Sequence, residues 1–276
     1  MRADLHVHSA ASDGSLAPGA IAVAARAGGL DIVAVCDHDT IGGVIEAQTA
    51  APAGLRVIPG LEISSLWAAR ELHVLGYFVD PAHLSLVAYS TQAAARREQR
   101  MREMVARLAR SGINVAYEDV VRSAEVPPQC IGRPHLARAL VQRGHARSVG
   151  DAFDRWIGDE HDAYVAVDLL GVRAAIDLIH EAGGVAVWAH PRIEMFDREI
   201  RRFRDWGIDG VECYRPRLTP TEAHYFETAA HELGLLRTGG SDWHGTWHGR
   251  LGDFAVGEAE IGALLARGDG ADPGRG

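Results

Sequence analysis

Cysteine is scarce in this 276-residue chain: Cys36, Cys130 and Cys213 lie far apart, and none belongs to a Cys-x-x-Cys pair. That excludes a disulfide framework and fits a reducing cytoplasm. Long apolar runs are missing as well. Nothing approaches the ~18 consecutive apolar residues of a membrane span, and the opening "MRADLHVH" has no basic-then-apolar leader. Positive charge is short: 28 Lys and Arg stand against 37 Asp and Glu, a net charge of −9. Such a surface does not displace the counterions of duplex DNA. A few local cations or metals can still reverse the field around a small phosphorylated substrate. There is no Gly-x-Ser-x-Gly elbow, no phosphate-cradling P-loop and no internal repeat.

What is present is an ordinary globular composition, 47 % hydrophobic and 24 % charged, in which strand-like and helix-like patterns alternate. Segments 3–9, 30–38, 55–64 and 71–79 read as strands. Segment 18–29 reads as a helix with Pro near its start and Gly at its end, and 40–51 as a helix capped by Thr40. From 81 to 111 the chain is helical and Arg-rich, and shorter helices are expected near 117–125, 134–143 and 148–157, with no strand between 81 and 162. The alternation then returns: helices at 171–184, 198–207 and 220–234, strands at 184–191, 210–215 and 235–244. Repeated βα units predict an α/β chain with a mostly parallel sheet, open or closed. The expected organisation is a discontinuous body, 1–95 and 166–266, a helical insertion, 96–165, and a Gly-rich disordered tail, 267–276.

Polar residues recur at the ends of the expected strands: His6 and His8, then His38, Glu62, His190, and finally Asp242 and His244. His73 lies early in its strand and fits less well. In parallel α/β sheets and barrels the C-terminal edge gathers the functional side chains. In "HVH", positions i and i+2 share one face, so both imidazoles can reach one ion. Taken singly, each residue has a plainer reading: a lone His near a strand end is usually structural, and Asp13, Asp37 and Asp39 suit turns and caps. Taken together, so many imidazoles and carboxylates are costly to bury. Cations that accept mixed N and O ligands offset that cost, and the joint pattern points to a metal cluster.

The ordered segments "DLHVHSAASDG", "CDHDT", "GLEIS", "LHVLGY", "AHP" and "GSDWH", spread from residue 4 to 244, resemble the motifs of the PHP (polymerase and histidinol phosphatase) superfamily of metal-dependent phosphoesterases. The resemblance implies a distorted (β/α)7 TIM-like barrel. It also implies nine ligands for three divalent ions: His6, His8, Glu62 and Asp242 for the first, Glu62 bridging to a second completed by His73 and His190, and Asp13, His38 and His244 for the third. Mixed N and O ligation suits Mn, Fe or Zn, and Mn2+ is the expected ion. Such a set leaves positions open for water and substrate. Asp37 and Asp39 flank His38; one is expected to fix its tautomer, the other reading being a cap. His248, four residues past His244, is a further candidate.

Adjacent divalent ions bind phosphate oxygens and generate hydroxide from water, so no Ser or Cys nucleophile is required. In the insertion, "CIGRPHLARAL" (130–140) sets Arg133 just before a helix, followed by His135. This reads as a two-pronged phosphate clamp at a helix start, or as a solvated Arg and a packed His. It resembles the Arg-x-His segment of the branch that includes nucleoside 3′,5′-bisphosphate phosphatases and ribonuclease AM. That branch has Gly then Arg after its "AHP"; here Arg192 follows Pro191 directly, in a different register toward substrate. The expectation is a hydrolase of a phosphomonoester such as a nucleoside 3′,5′-bisphosphate, with no membrane, duplex DNA or obligate protein partner. The alternatives are 5′→3′ exonuclease action on short oligonucleotides, histidinol-phosphate phosphatase, and a structural module whose site has decayed. The Arg-rich helix near 96–110 reads mostly as a solvated face, and the full ligand set argues against decay.

Overall fold

The computed structural model describes residues 1–124 and 128–270. Strands β1 (Ala3–Val7), β2 (Ile32–Val35) and β3 (Arg56–Trp67) alternate with helices α1 (Pro18–Ala27) and α2 (Val44–Thr49), and β4 (Arg70–Tyr77) folds back on β3. A long α3 (Leu84–Arg110) leads into α4 (Tyr117–Arg122), α5 (Arg133–Gln142), α6 (Val149–Ala152) and a π-helical turn (Phe153–Ile157). Then come β5 (Leu170–Gly171), α7 (Val172–Glu181), β6 (Val185–Trp188), α8 (Ile193–Asp205), β7 (Gly210–Tyr214), α9 (Pro220–Leu233), β8 (Leu236–Gly239) and α10 (Glu258–Gly270).

The sheet runs β1-β2-β3-β4-β6-β7-β8, with β5 paired to β3. Past the end of β8 the chain crosses back to β1 through a bridge between Trp243 and Val7, where the His8 amide donates to the Trp243 carbonyl at 2.9 Å. The result is the distorted TIM-like barrel expected. Strand β4 is antiparallel to both β3 and β6, while the other neighbours along this order are parallel. This reversal accounts for His73. The start of an antiparallel strand lies at the same edge as the ends of its parallel neighbours, and His73 stands opposite Ser64 of β3.

Strands β2 and β6 are buried along their whole length, as strands lying between the barrel interior and a helical layer must be. Leu5, Ala34, Ile58, Tyr77 and Val187 share an inner cluster with Ile261 and Leu264 of α10. On the other face Val33, Val35 and Val57 pack with Ile21 and Ala25 of α1. Local chemistry sets the helix ends. Thr219 Oγ1 accepts from the Glu222 amide at 3.2 Å to start α9, and Gly234, at φ 65°, stops it.

Several boundaries differ from expectation. Gly43, not Thr40, stands at the cap position of α2; Thr40 Oγ1 instead accepts from the Gly42 amide at 3.1 Å, and the two glycines delay the helix. Helix α8 begins at Ile193 rather than near 198, because Phe196 already packs into the core with Ile200 and Phe203. In the tail, Arg267–Gly270 continue α10, with Gly268 against the Phe78 ring; residues 271–276 lie outside the described residues. Helix α3 is unbroken through residue 96. Its Leu86, Tyr89 and Ala93 join the barrel's outer cluster, and its Met101, Met104 and Leu108 join a second cluster with Leu136, Leu140 and Ile157.

Candidate metal centre

All nine side chains picked out in the sequence meet at one edge of the barrel. The register of β1 slips between Asp4 and Val7, a bulge that re-aims the side chains around it. Val7 packs with Ile21 of α1, while His6 and His8 enter the cluster with no solvent exposure. Gly240 lets the "SDWH" loop approach: a Cβ there would stand 2.2 Å from the Cβ of His6. His190 and Asp242 hold φ angles of 30° and 53°. Such strain in non-glycine residues persists where the surrounding structure enforces it.

Glu62 is the hub. Its Oε1 lies 2.9 Å from His73 Nδ1 and 3.0 Å from His190 Nε2. Its Oε2 lies 3.4 Å from His6 Nε2, 3.3 Å from His8 Nε2 and 3.1 Å from His38 Nδ1. Asp242 Oδ1 is 3.1 Å from His8 Nε2, and Asp13 Oδ1 is 3.4 Å from His244 Nε2. Potential ligand atoms within 4.8 Å of one another form three groups: His6, His8, Glu62 and Asp242; His8, Asp13, His38 and His244; and His38, Glu62 and His73. His8, His38 and Glu62 are thus each shared between two groups. His190 joins through Glu62 and through His73, whose Nδ1 is 3.2 Å from His190 Nε2.

This set fits cations better than it fits itself. His6 Nε2 and His8 Nε2 face each other at 3.1 Å, two lone pairs unless a proton or cation intervenes. His8 Nδ1, His38 Nδ1, Asp13 Oδ1 and Glu62 Oε2 are buried without a hydrogen-bond partner, a costly condition for polar atoms. Titration tells the same story. Burial disfavours charge on His8, yet Asp242 and Glu62 push it up to about 10. Against the same burial, Glu62 and Glu71 push His73 up to about 10. Burial is likewise outweighed at Glu62, Asp13 and Asp242, which facing imidazoles hold well below the usual carboxylate range. His38 goes the other way, pulled down to about 4 by burial. Protons on the imidazoles occupy the electrostatic role that cations would fill, and metal binding releases such protons.

The expectation that Asp37 or Asp39 fixes the His38 tautomer is corrected. Asp37 accepts from the Ser9 amide at 2.8 Å and from the Ser9 and Ser12 hydroxyls at 2.6 Å each, tying down the loop that carries Asp13. Asp39 accepts from the Ser64 amide at 2.7 Å and from Arg97 Nε at 2.8 Å, anchoring α3 to the barrel. Orientation of the cluster falls instead to Glu212, which sequence reasoning missed. Its Oε1 accepts from His6 Nδ1 at 3.0 Å and its Oε2 from the His190 amide at 2.8 Å. The available signal was one acid in the otherwise apolar strand "GVECY", fully buried in the fold. Glu71 likewise reaches His73 Nε2 at 3.3 Å. His248 stays at the rim: it is exposed, its ring 5.6 Å from that of His244 and its Nδ1 3.0 Å from the Asp242 carbonyl.

A cavity of about 750 Å³ opens beside the cluster, lined among others by Glu71, His73, Arg133, Tyr164, His190 and Arg192. Arg133, at the start of α5, pairs with Asp159 and stands 5.3 Å from the Tyr164 ring. Arg192 is exposed at the cap of α8. His135 does not line this cavity. It is fully buried, its Nδ1 accepts from the Gly132 amide at 3.0 Å, and burial pulls its pKa down to about 4.

A curled α/β sheet with imidazoles and carboxylates gathered over its C-terminal edge has the frame of a metal-dependent hydrolase. The chain belongs to the PHP-domain family, whose model matches residues 4–182. It is 38 % identical over 247 residues to a 5′-3′ exoribonuclease of Haemophilus influenzae, covering 87 % of this chain and 89 % of the relative. It is 33 % identical over 252 residues to a 3′,5′-nucleoside bisphosphate phosphatase of Chromobacterium violaceum, covering 89 % and 88 %. A solved Chromobacterium violaceum structure, described as an amidohydrolase with bound sulfate and no metal, superposes with a TM-score of 0.87 at 30 % identity over 97 % of each chain.

Proposed function

We propose that this PHP-domain phosphoesterase hydrolyses a phosphate ester of a nucleotide, such as a nucleoside 3′,5′-bisphosphate, at a site for three divalent ions, with Mn2+ the preferred ion. The observation that carries the proposal is Glu62, whose two oxygens each face two or more imidazoles with no exposure to solvent. His6, His8, Glu62 and Asp242 would hold one ion; Glu62, His73 and His190, with His38 in reach, a second; Asp13, His38, His244 and His8 a third. When bound, such ions supply Lewis acidity toward phosphate oxygens and lower the pKa of water.

The protein's own groups do the rest. Glu212 and Glu71 orient the rings of His6 and His73. Arg133 and Arg192 bring guanidinium groups to the cavity, where a fork of donors matches phosphate oxygens. The helical segment 96–165, taken as a unit over the barrel edge, contributes Arg133 and Tyr164 to that wall. A second reading, removal of nucleotides from short oligonucleotides, is favoured by the 38 % identity to an exoribonuclease. It differs only in what is attached to the scissile phosphate. Phosphate and nucleotide release would be screened with Mn2+ over nucleoside 3′,5′-bisphosphates, mononucleotides, histidinol phosphate and short RNAs. Turnover of bisphosphates or short RNAs, with histidinol phosphate poor, is expected. No release from any nucleotide by metal-loaded protein would overturn the proposal.

A further inference from the structure

We propose that Trp247 is a stacking platform for a nucleobase, so that the site reads a second nucleotide across the scissile phosphate; this rests on the nucleotide reading above. Trp247 is 59 % exposed, and it is the one exposed tryptophan among the described residues. An indole in that position presents a flat apolar face to water, next to His248 and the polar cluster beyond it.

Its place in the fold gives it an occupant. A row of rings crosses the site, each centroid 4.9–6.0 Å from the next: His190, His73, His38, His244, His248 and Trp247. The cavity with Arg133 and Arg192 opens at the His190 and His73 end, and Trp247 stands at the other. A phosphate held over the middle of the row therefore has room for one nucleoside in the cavity and for a neighbouring base on the indole.

The platform is also fastened. The ring lies so close over Gly245 that a Cβ there would stand 2.3 Å from it. The guanidinium of Arg138 lies 5.5 Å from the ring centroid, and Arg138 itself donates to the Asp13 carbonyl at 2.6 Å. The indole is thus tied to the loop that carries a cluster residue, with a cation beside it for the sugar-phosphate of a stacked nucleotide. Aromatic platforms of this kind bind single strands with little sequence preference, because every base has a π-face. The ligand class assigned is a short single-stranded oligonucleotide.

The test compares wild type, Trp247→Ala and Trp247→Phe, all metal-loaded and with metal content measured, on a 5′-phosphorylated trinucleotide and on a nucleoside 3′,5′-bisphosphate. The ratio of kcat/KM for trinucleotide to that for bisphosphate is expected to fall on the order of tenfold in Trp247→Ala, and to recover in large part in Trp247→Phe. A phosphorothioate trinucleotide should quench wild-type tryptophan fluorescence, with that component absent from Trp247→Phe. An unchanged ratio with unchanged quenching, an equal loss on both substrates, or a wild type that turns over the bisphosphate alone would each overturn the assignment. Inactivity of the wild type on every nucleotide would instead remove the functional reading beneath it.

Discussion

Replacing Glu212 by Gln should weaken metal binding without unfolding the barrel. The carboxylate receives two hydrogen bonds, from His6 Nδ1 at 3.0 Å and from the His190 amide at 2.8 Å. Because Nδ1 of His6 donates, its Nε2 is the atom that can give up a proton and bind a cation, facing His8, Glu62 and Asp242. Glutamine has one acceptor oxygen. The backbone amide of His190 can only donate, so that oxygen goes to it, and the new NH2 group faces His6 Nδ1. The imidazole then switches its proton to Nε2 and can no longer ligate through that atom. Loss of such a partner costs roughly 10- to 100-fold in metal affinity, about 1.4–2.7 kcal/mol. Glu212→Ala would also leave two buried donors unpaired, at about 1–3 kcal/mol each, so Glu212→Gln is the cleaner variant. Calorimetric Mn2+ titration, beside thermal unfolding of metal-depleted protein, separates the two effects. A Glu212→Gln variant that binds Mn2+ as tightly as wild type would mean that Glu212 does not set the His6 tautomer.

Arg133→Ala should keep its metals and lose kcat/KM on nucleotides by roughly 1.5–3 kcal/mol, the scale of one charge-assisted hydrogen bond. Arg133→Lys should recover only part, since it keeps the charge but not the fork; identical kinetics in both variants and wild type would make the insertion a bystander at this residue. With His8 and His73 both raised to about 10, these two imidazoles of the metal-free site are protonated at neutral pH. Metal affinity should therefore rise from pH 6 to pH 9, with proton release seen as a binding enthalpy that depends on the buffer; a buffer-independent enthalpy contradicts this. At Asp39, burial is outweighed by Arg97, which holds the carboxyl below its ordinary 3.8. The pair's stabilisation is thus full above about pH 4 and lost as pH falls through the depressed value. Arg97→Met strands the buried carboxylate and should cost about 3–5 kcal/mol in urea unfolding; a loss under about 1 kcal/mol would mean that solvent reaches Asp39.

The strand ends carrying His6, His8, Glu62 and Asp242 were legible because polar residues interrupt apolar runs at a fixed place in each βα unit. His73 was legible as a residue but not as a position. Antiparallel pairing of β4 depends on contacts with β3 and β6, and periodicity along one strand does not encode strand direction. Asp37 and Asp39 looked like partners of His38 because they are its neighbours in sequence. They lie past the end of β2, in a turn where Asp39 takes φ 54°, and the two carboxylates turn to Ser9 and Arg97 instead. Glu212 was hidden because its partners lie 206 and 22 residues away. The early start of α8 and the helical Arg267–Gly270 segment were decided by packing, Phe196 in the core and Gly268 on Phe78, which overrides local propensity.

Phosphoester hydrolysis by this protein should depend on cations held by the cluster around Glu62. The direct measurement is bound metal and phosphate release, followed together as Mn2+ is titrated into metal-depleted protein, with His8→Ala beside wild type and circular dichroism recorded for both. Turnover should be absent without metal, rise in step with bound Mn2+, and fail in His8→Ala despite an unchanged spectrum. Full turnover in excess chelator, after metal removal has been verified, would show that hydrolysis needs no cation in this cluster.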